Sequence, residues 1–136
     1  MLNNDNKFDL DLSFGQIYEL ELLNALLGNI TIEVKTERDI WVHTGNICIE
    51  YESRGKKSGI SITKAKFWFH CLTNSDDGLR MAFVFEVERL KEWIRINYSS
   101  LKQTRGGDDN TSKIILIPIK DLHKIAGGNK WDKINM

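Results

Sequence analysis

"DIWVHTGNICIEYES", residues 39–53, is the stretch on which the reading of the fold turns. Taken as two short strands, "DIWVH" and "ICIEYES", joined by a "TGN" turn, it forms a β-hairpin. From Asn46 onward, strand alternation puts Ile47, Ile49 and Tyr51 on one face and Cys48, Glu50 and Glu52 on the other. Two carboxylates then stand side by side, with a third acid, Asp39, one hairpin upstream. Carboxylates so placed repel one another unless a cation sits between them, either a surface lysine with solvent or a metal ion.

Working outward, "SFGQIYELELLNALLGN" reads as a helix capped by Ser13 and stopped by Gly28. At 100° per residue, Glu19 falls between Leu23 and Leu26 on the leucine face, whereas Glu21 lies nearer Asn24. "ITIEVK" alternates as a strand, and "RGKKSG" is a basic turn whose glycines supply unusual backbone angles. "ITKAKFWFHCL" predicts a short helix opened by Thr63, and "NSDDG" a turn. "LRMAFVFEV" is then a strand, "ERLKEWIRINYSSL" an amphipathic helix, and "TRGGDDNTS" a loop. "KIILIPIKDL" is a final strand, placed at a sheet edge because Pro118 cannot donate to a ladder. Residues 1–12 and the tail "AGGNKWDKINM" read as irregular. The order gives an α/β (α+β) fold, with helices against a mixed sheet.

The whole chain sets bounds on function. Its 136 residues suit a single domain, 1–136, with a core at about 13–88 and the remainder, 89–136, as additions. A hydrophobic fraction of 41% with 28% charged residues fits a globular protein. The formal net charge is zero, so no global field announces a nucleic acid or a membrane, and any DNA contact must come from local basic patches. Cys48 and Cys71 have no metal-ligand spacing and read as reduced thiols in or near the core. The start reads as no signal peptide and no apolar run is long enough to span a membrane, so the expectation is a cytoplasmic protein with no membrane partner and no organic cofactor. Trp41, Trp68, Trp93 and Trp131 sit in periodic contexts that suit a core or interface.

E-x-E occurs as Glu19/Glu21, Glu50/Glu52 and Glu86/Glu88, and Glu33-Val34-Lys35 is an E-x-K in a strand. Glu19 and Glu21 do not share a helix face. Glu86/Glu88 has only the turn acids Asp76 and Asp77 upstream, and Glu33/Lys35 has upstream acids only within the first helix. The set Asp39, Glu50 and Glu52 combines a hairpin, same-face carboxylates and an upstream helical glutamate.

In that order of elements, a helix with an inward glutamate and then Asp followed some ten residues later by an E-x-K-like triplet, the chain resembles the PD-(D/E)xK nuclease superfamily. The likeness is to small members such as junction resolvases and phage-type or homing endonucleases, and it runs from about Phe14 to Val87. The resemblance implies a restriction-endonuclease-like αβββαβ core and a metal-dependent DNA endonuclease, encoded by a phage or mobile element and acting in the host cytoplasm. It places Glu19 as the helical acid, Asp39 as the first metal ligand and Glu50 as the second. Glu52 stands where the family usually has lysine, a departure that Lys35 or Lys64 could make good.

The residue types suit the chemistry. Phosphodiester hydrolysis builds negative charge that a hard divalent ion, Mg²⁺ or Mn²⁺, can offset while acidifying a bound water. Asp39, Glu50 and the Tyr51 carbonyl would hold the ion, Glu52 would orient the attacking water or bind a second ion, and Glu19 would act as base. Arg54, Lys56, Lys57, Lys64 and Lys66 would meet the DNA backbone from beside the site. Arg89, Lys91, Arg95, Lys102 and Arg105 form a second basic cluster, running into the Gly106-Gly107 loop. A homodimer would let two sites address two strands. Each acid also has a plainer reading: Glu52 solvated on an outer face, Glu19 curled to water, Asp39 a turn residue. The alternatives are a non-catalytic DNA-binding or protein-interaction module that keeps the fold, and a protein that binds a host partner through an exposed strand edge.

Overall fold

The structure, a computed structural model, describes residues 16–127 apart from 18, 25 and 77, with only the backbone given at 126 and 127. Residues 1–12, the cap expected at Ser13, and Trp131 lie outside the described residues. Wherever described, residues 16–26 are helical (α1). Then follow β1 (Ile32–Arg38), α2 (Ile40–Thr44), β2 (Asn46–Ser53), β3 (Lys56–Lys57), β4 (Phe67–Asn74) and β5 (Gly78–Glu86). The chain continues with α3 (Val87–Asn97), β6 (Lys102–Gly106), β7 (Ser112–Pro118) and α4 (His123–Gly127). The strands make two sheets, β1-β4-β5 and β3-β2-β7-β6, so the architecture is mixed α and β. In the first sheet β1 runs parallel to β4, and β5 antiparallel to it. The second sheet is antiparallel throughout.

The core lies among the inner faces of both sheets and two helical segments. It joins Ile47, Ile49, Ile115 and Ile117 of the second sheet to Trp68, Leu72 and Phe85 of the first, with Val87, Leu90 and Ile94 of α3 and Leu122 and Ile125 near α4. Trp41 and Trp93 pack against this cluster half-buried, as their periodic contexts suggested.

Several expected elements differ. Residues 39–53 are not a hairpin, because β1 and β2 belong to different sheets. The chain leaves β1 through Asp39 at φ 59 and winds into α2, and the glycine of "TGN", Gly45, ends that helix at φ 68 as a left-handed cap. Trp41 pins α2 down by donating Nε1–H to the Thr73 carbonyl at 2.8 Å, on the β4 end. No helix opens at Thr63: "FWFHCLTN" is β4, whose Trp68, His70 and Leu72 alternate into the core. A run of consecutive apolar residues hides that alternation, and its aromatic content favours the strand. Pro118 is not on an edge strand, because β7 lies between β2 and β6; Pro118 is its last residue, opposite Asn46, where a missing donor matters least. The C-terminal segment is therefore central to the second sheet. Thr104, Arg105 and Gly106 of the expected "TRGGDDNTS" loop belong to strand β6, its Ser112 opens β7, and α4 takes the start of the tail.

One close approach fixes the turn after β3. Gly59 has φ +51, and a Cβ there would collide with the carbonyl oxygen of Glu50. Gly59→Ala is expected to cost about 2–4 kcal/mol from strain and overpacking together. It would show as a lower urea midpoint with an unchanged slope, and an unchanged midpoint would contradict the contact.

Candidate functional site

The acids expected to share an ion are held apart. A β-bulge at Tyr51 breaks the alternation of β2, so that Glu50 pairs with Ile114 and Glu52 with Lys113. Ile114 and Lys113 are neighbours on β7 and face opposite ways, and so do the two glutamates. Each has its own partner: Glu50 Oε1 accepts the Ser58 hydroxyl at 2.6 Å, and Glu52 Oε2 lies 2.6 Å from Lys113 Nζ. The Tyr51 carbonyl accepts both the Ser61 hydroxyl at 2.7 Å and the Ser58 amide at 3.1 Å. Asp39 turns toward the β4–β5 connection, where its Oδ1 accepts the Ser75 amide at 2.8 Å; that amide holds its carboxyl below the usual carboxylate range. Among the described residues no group of three Asp, Glu, His or Cys side chains could hold a metal ion.

Glu19 is exposed, and so are Leu20, Leu23 and Leu26 around it, so it has no apolar pocket to raise its basicity. Glu21 is the α1 acid with an ion-pair partner, 3.1 Å from Lys66 Nζ at the surface, and the Lys66 amide donates to the Thr31 carbonyl just before β1. Lys66 is thus an ion-pair partner of α1. Lys64 is exposed on the connection before β4. Arg54, Lys56 and Lys57 stand exposed around the β2–β3 turn, with Arg54 at φ 52, and Arg105 is exposed on β6. Of the second basic cluster, Arg89 pairs with Glu86 at 3.6 Å and Lys91 donates to the Thr63 carbonyl at 3.0 Å.

The strand β1 carries the feature the sequence reading passed over. Its charged face is its inner one: Glu33, Lys35 and Glu37 lie in register with Trp68, His70 and Leu72, while Val34 on the other face is 52% exposed. Two residues apart on a strand, Glu33 and Lys35 share a side, with Nζ 2.9 Å from the carboxylate. Lys35 Nζ also lies 5.7 Å from the Trp68 ring centroid, so the ammonium has an aromatic face beneath it. The alternation in "ITIEVKTE" was the available signal. The E-x-K was set aside because its only upstream acids lie in the first helix.

Further along β1, Glu37 ties the two sheets together. Its Oε1 accepts the Cys48 amide of β2 at 2.6 Å, serving an edge donor that no neighbouring strand serves. Its Oε2 lies 3.3 Å from Nε2 of His70, which is fully buried, and Trp68 Nε1–H donates to Nδ1 of that ring at 3.1 Å. Burial, and next the charge of Glu37, push the Cys48 thiol up to about 12. At pH 8 Cys48 is then held as the unreactive thiol. Labelling with a thiol-specific disulfide reagent is expected to leave Cys48 unmodified in the folded protein and to reach it in urea; fast labelling of the native state would contradict that environment.

In comparisons with protein-family models, with curated proteins and with solved structures, nothing matches the chain. No helix among the described residues is long and apolar enough to cross a membrane.

Proposed function

We propose that the protein is a divalent-metal-dependent nuclease that hydrolyses phosphodiester bonds in DNA, with its reacting groups on β1 and not in residues 39–53. The observation that carries the reading is the pair Glu33 and Lys35, one carboxylate and one ammonium on the same side of a strand that follows an acid-bearing helix. That is the E-x-K order of the superfamily the sequence resembles, and here the lysine is present, whereas Glu50-Tyr51-Glu52 lacks it.

The donor set fits a magnesium-like ion: such ions keep several waters and take one or two protein carboxylates together with substrate phosphate oxygens. Glu33 is the first of these carboxylates, and Glu21, whose partner Lys66 donates its amide to the Thr31 carbonyl just before β1, is the candidate second. A bound ion would supply positive charge and a more acidic water. Lys35 presents its ammonium to the non-bridging oxygens of the scissile phosphate, and Trp68 limits the positions it can adopt. Arg54, Lys56 and Lys57 offer cations to the backbone of a duplex.

The test is incubation with supercoiled and branched DNA in Mg²⁺ or Mn²⁺. Nicked or linear product that EDTA prevents supports the proposal. A second reading, a non-catalytic DNA-binding or protein-interaction module, is favoured by the lack of a three-ligand group among the described residues. It expects a gel shift in EDTA and no cleavage with either metal.

A further inference from the structure

Beyond the face of β1, the β6 side of the second sheet carries a cavity of about 360 Å³, lined by Tyr51, Tyr98, Gln103, Thr104, Arg105 and Lys113. Cross-strand pairing builds it. Lys57, Glu52, Lys113 and Arg105 form one row across β3, β2, β7 and β6, and Gln103 stands opposite Ile115 on the same face of the sheet. The bulge at Tyr51 brings that ring to the same region, and Tyr98, just past the end of α3, meets it edge to face with centroids 6.1 Å apart.

The polar groups of this cavity are arranged to donate. The Tyr51 and Tyr98 hydroxyls both give their hydrogens to Gln103 Oε1, at 2.7 and 3.3 Å, which commits the amide oxygen and leaves both amide hydrogens for a ligand. The Tyr98 hydroxyl, 3.4 Å from that of Tyr51, is the largest influence holding the Tyr51 phenol neutral, its pKa pushed up to about 12. Lys113 is balanced by Glu52. Arg105 has no hydrogen-bond or ion-pair partner for its guanidinium among the described residues, so its planar fork of donors is uncommitted. An uncommitted guanidinium beside amide donors suits a phosphate, and the tyrosine pair beside it, Tyr98 exposed and Tyr51 half-buried, suits a base. The volume is of the order that takes a single small ligand.

We propose that this cavity binds one nucleotide unit, a phosphate with its nucleoside, with Arg105 on the phosphate and the tyrosine pair against the base. Its ligand is either one unit of a single strand or a free nucleotide. The inference does not depend on the chemistry at β1.

The test is done in EDTA, so that cleavage plays no part. Fluorescence anisotropy follows a labelled oligothymidylate, with unlabelled thymidine monophosphate and inorganic phosphate as competitors. Arg105→Ala and Tyr98→Ala are each expected to weaken binding at least about tenfold, which lies within the range for one stacked base. Tyr98→Phe, which keeps the ring, is expected to stay near the parent. Arg105→Ala is also expected to lower the salt dependence by about one counterion. Competition by the mononucleotide near the oligonucleotide's own affinity assigns the site to a free nucleotide; competition only at far higher concentration assigns it to a strand. Inorganic phosphate competing as well as the mononucleotide would overturn the proposal, because the rings would then contribute nothing. Unchanged binding in both alanine variants would overturn it as well. Both side chains are exposed, so their removal leaves the fold intact, and thermal melts check this.

Discussion

Replacing Glu33 with glutamine is expected to stop the proposed metal-dependent DNA cleavage, while replacing Glu50 or Asp39 with its amide is expected to leave most of it. This contrast is the largest effect expected from placing the chemistry on β1. Glu33→Gln keeps the size of the side chain and removes the charge that faces Lys35 at 2.9 Å. Lys35→Met keeps the aliphatic stem over Trp68 and removes the ammonium. Loss of one electrostatic group that acts on the charge of the transition state typically costs about a hundred- to a thousandfold in rate, so each variant should fall by at least about a hundredfold. Glu50→Gln keeps an acceptor for the Ser58 hydroxyl, and Asp39→Asn keeps one for the Ser75 amide, so both should fold and cut. Single-turnover cleavage rates with matched thermal melts decide the matter. Loss of cutting in Glu50→Gln with retention in Glu33→Gln would return the chemistry to the 39–53 stretch.

The second large effect is on stability. Trp68 can only donate, so the Nδ1 of His70 accepts and the ring hydrogen sits on Nε2, on the side of Glu37 Oε2. Those two atoms are buried, and neither has another partner among the described residues. His70→Leu leaves a carboxylate oxygen alone in the interior, and a loss of about 3–5 kcal/mol is expected, as for other buried pairs broken from one side. Glu37→Leu strands Nε2 and also deprives the Cys48 amide of its acceptor, so it is expected to cost about 2–4 kcal/mol. With both replaced, no buried charge is left unmatched, and the double variant should be clearly more stable than the sum of the two losses implies. Urea denaturation of the four proteins measures this. Additive losses would mean that the 3.3 Å approach carries no coupling.

How far the sequence disclosed this arrangement depends on how local the deciding interactions are. The helix Val87–Asn97 and the strand Ile32–Arg38 follow from periodicity, because their own patterns repeat for at least two turns or three alternations, and the strand Gly78–Glu86 follows from its apolar run. Residues 39–53 do not, because their fate is settled by partners distant in sequence. Thr73 takes the Trp41 indole hydrogen, Ser75 takes the Asp39 carboxylate, and β4 takes β1 as a parallel neighbour. The Tyr51 bulge was equally hidden, since one extra residue in a strand leaves no mark in an alternating pattern yet turns every later side chain to the other face. At β1 the alternation is plain, but nothing local shows which of its faces turns inward. Charged residues face inward there because Trp68, His70 and the Cys48 amide are waiting for them, and none of these adjoins β1 in the sequence.

Paramagnetic broadening by Mn²⁺, followed residue by residue in the backbone amide spectrum of the isotope-labelled protein, tests the proposed metal site on β1 most directly. Substoichiometric Mn²⁺ should erase the signals of Glu33, Val34 and Lys35 and those around Glu21 first, and Glu33→Gln should abolish that pattern. Broadening centred on Glu50, Glu52 and Asp39, or none at any metal concentration that permits cleavage, would contradict it.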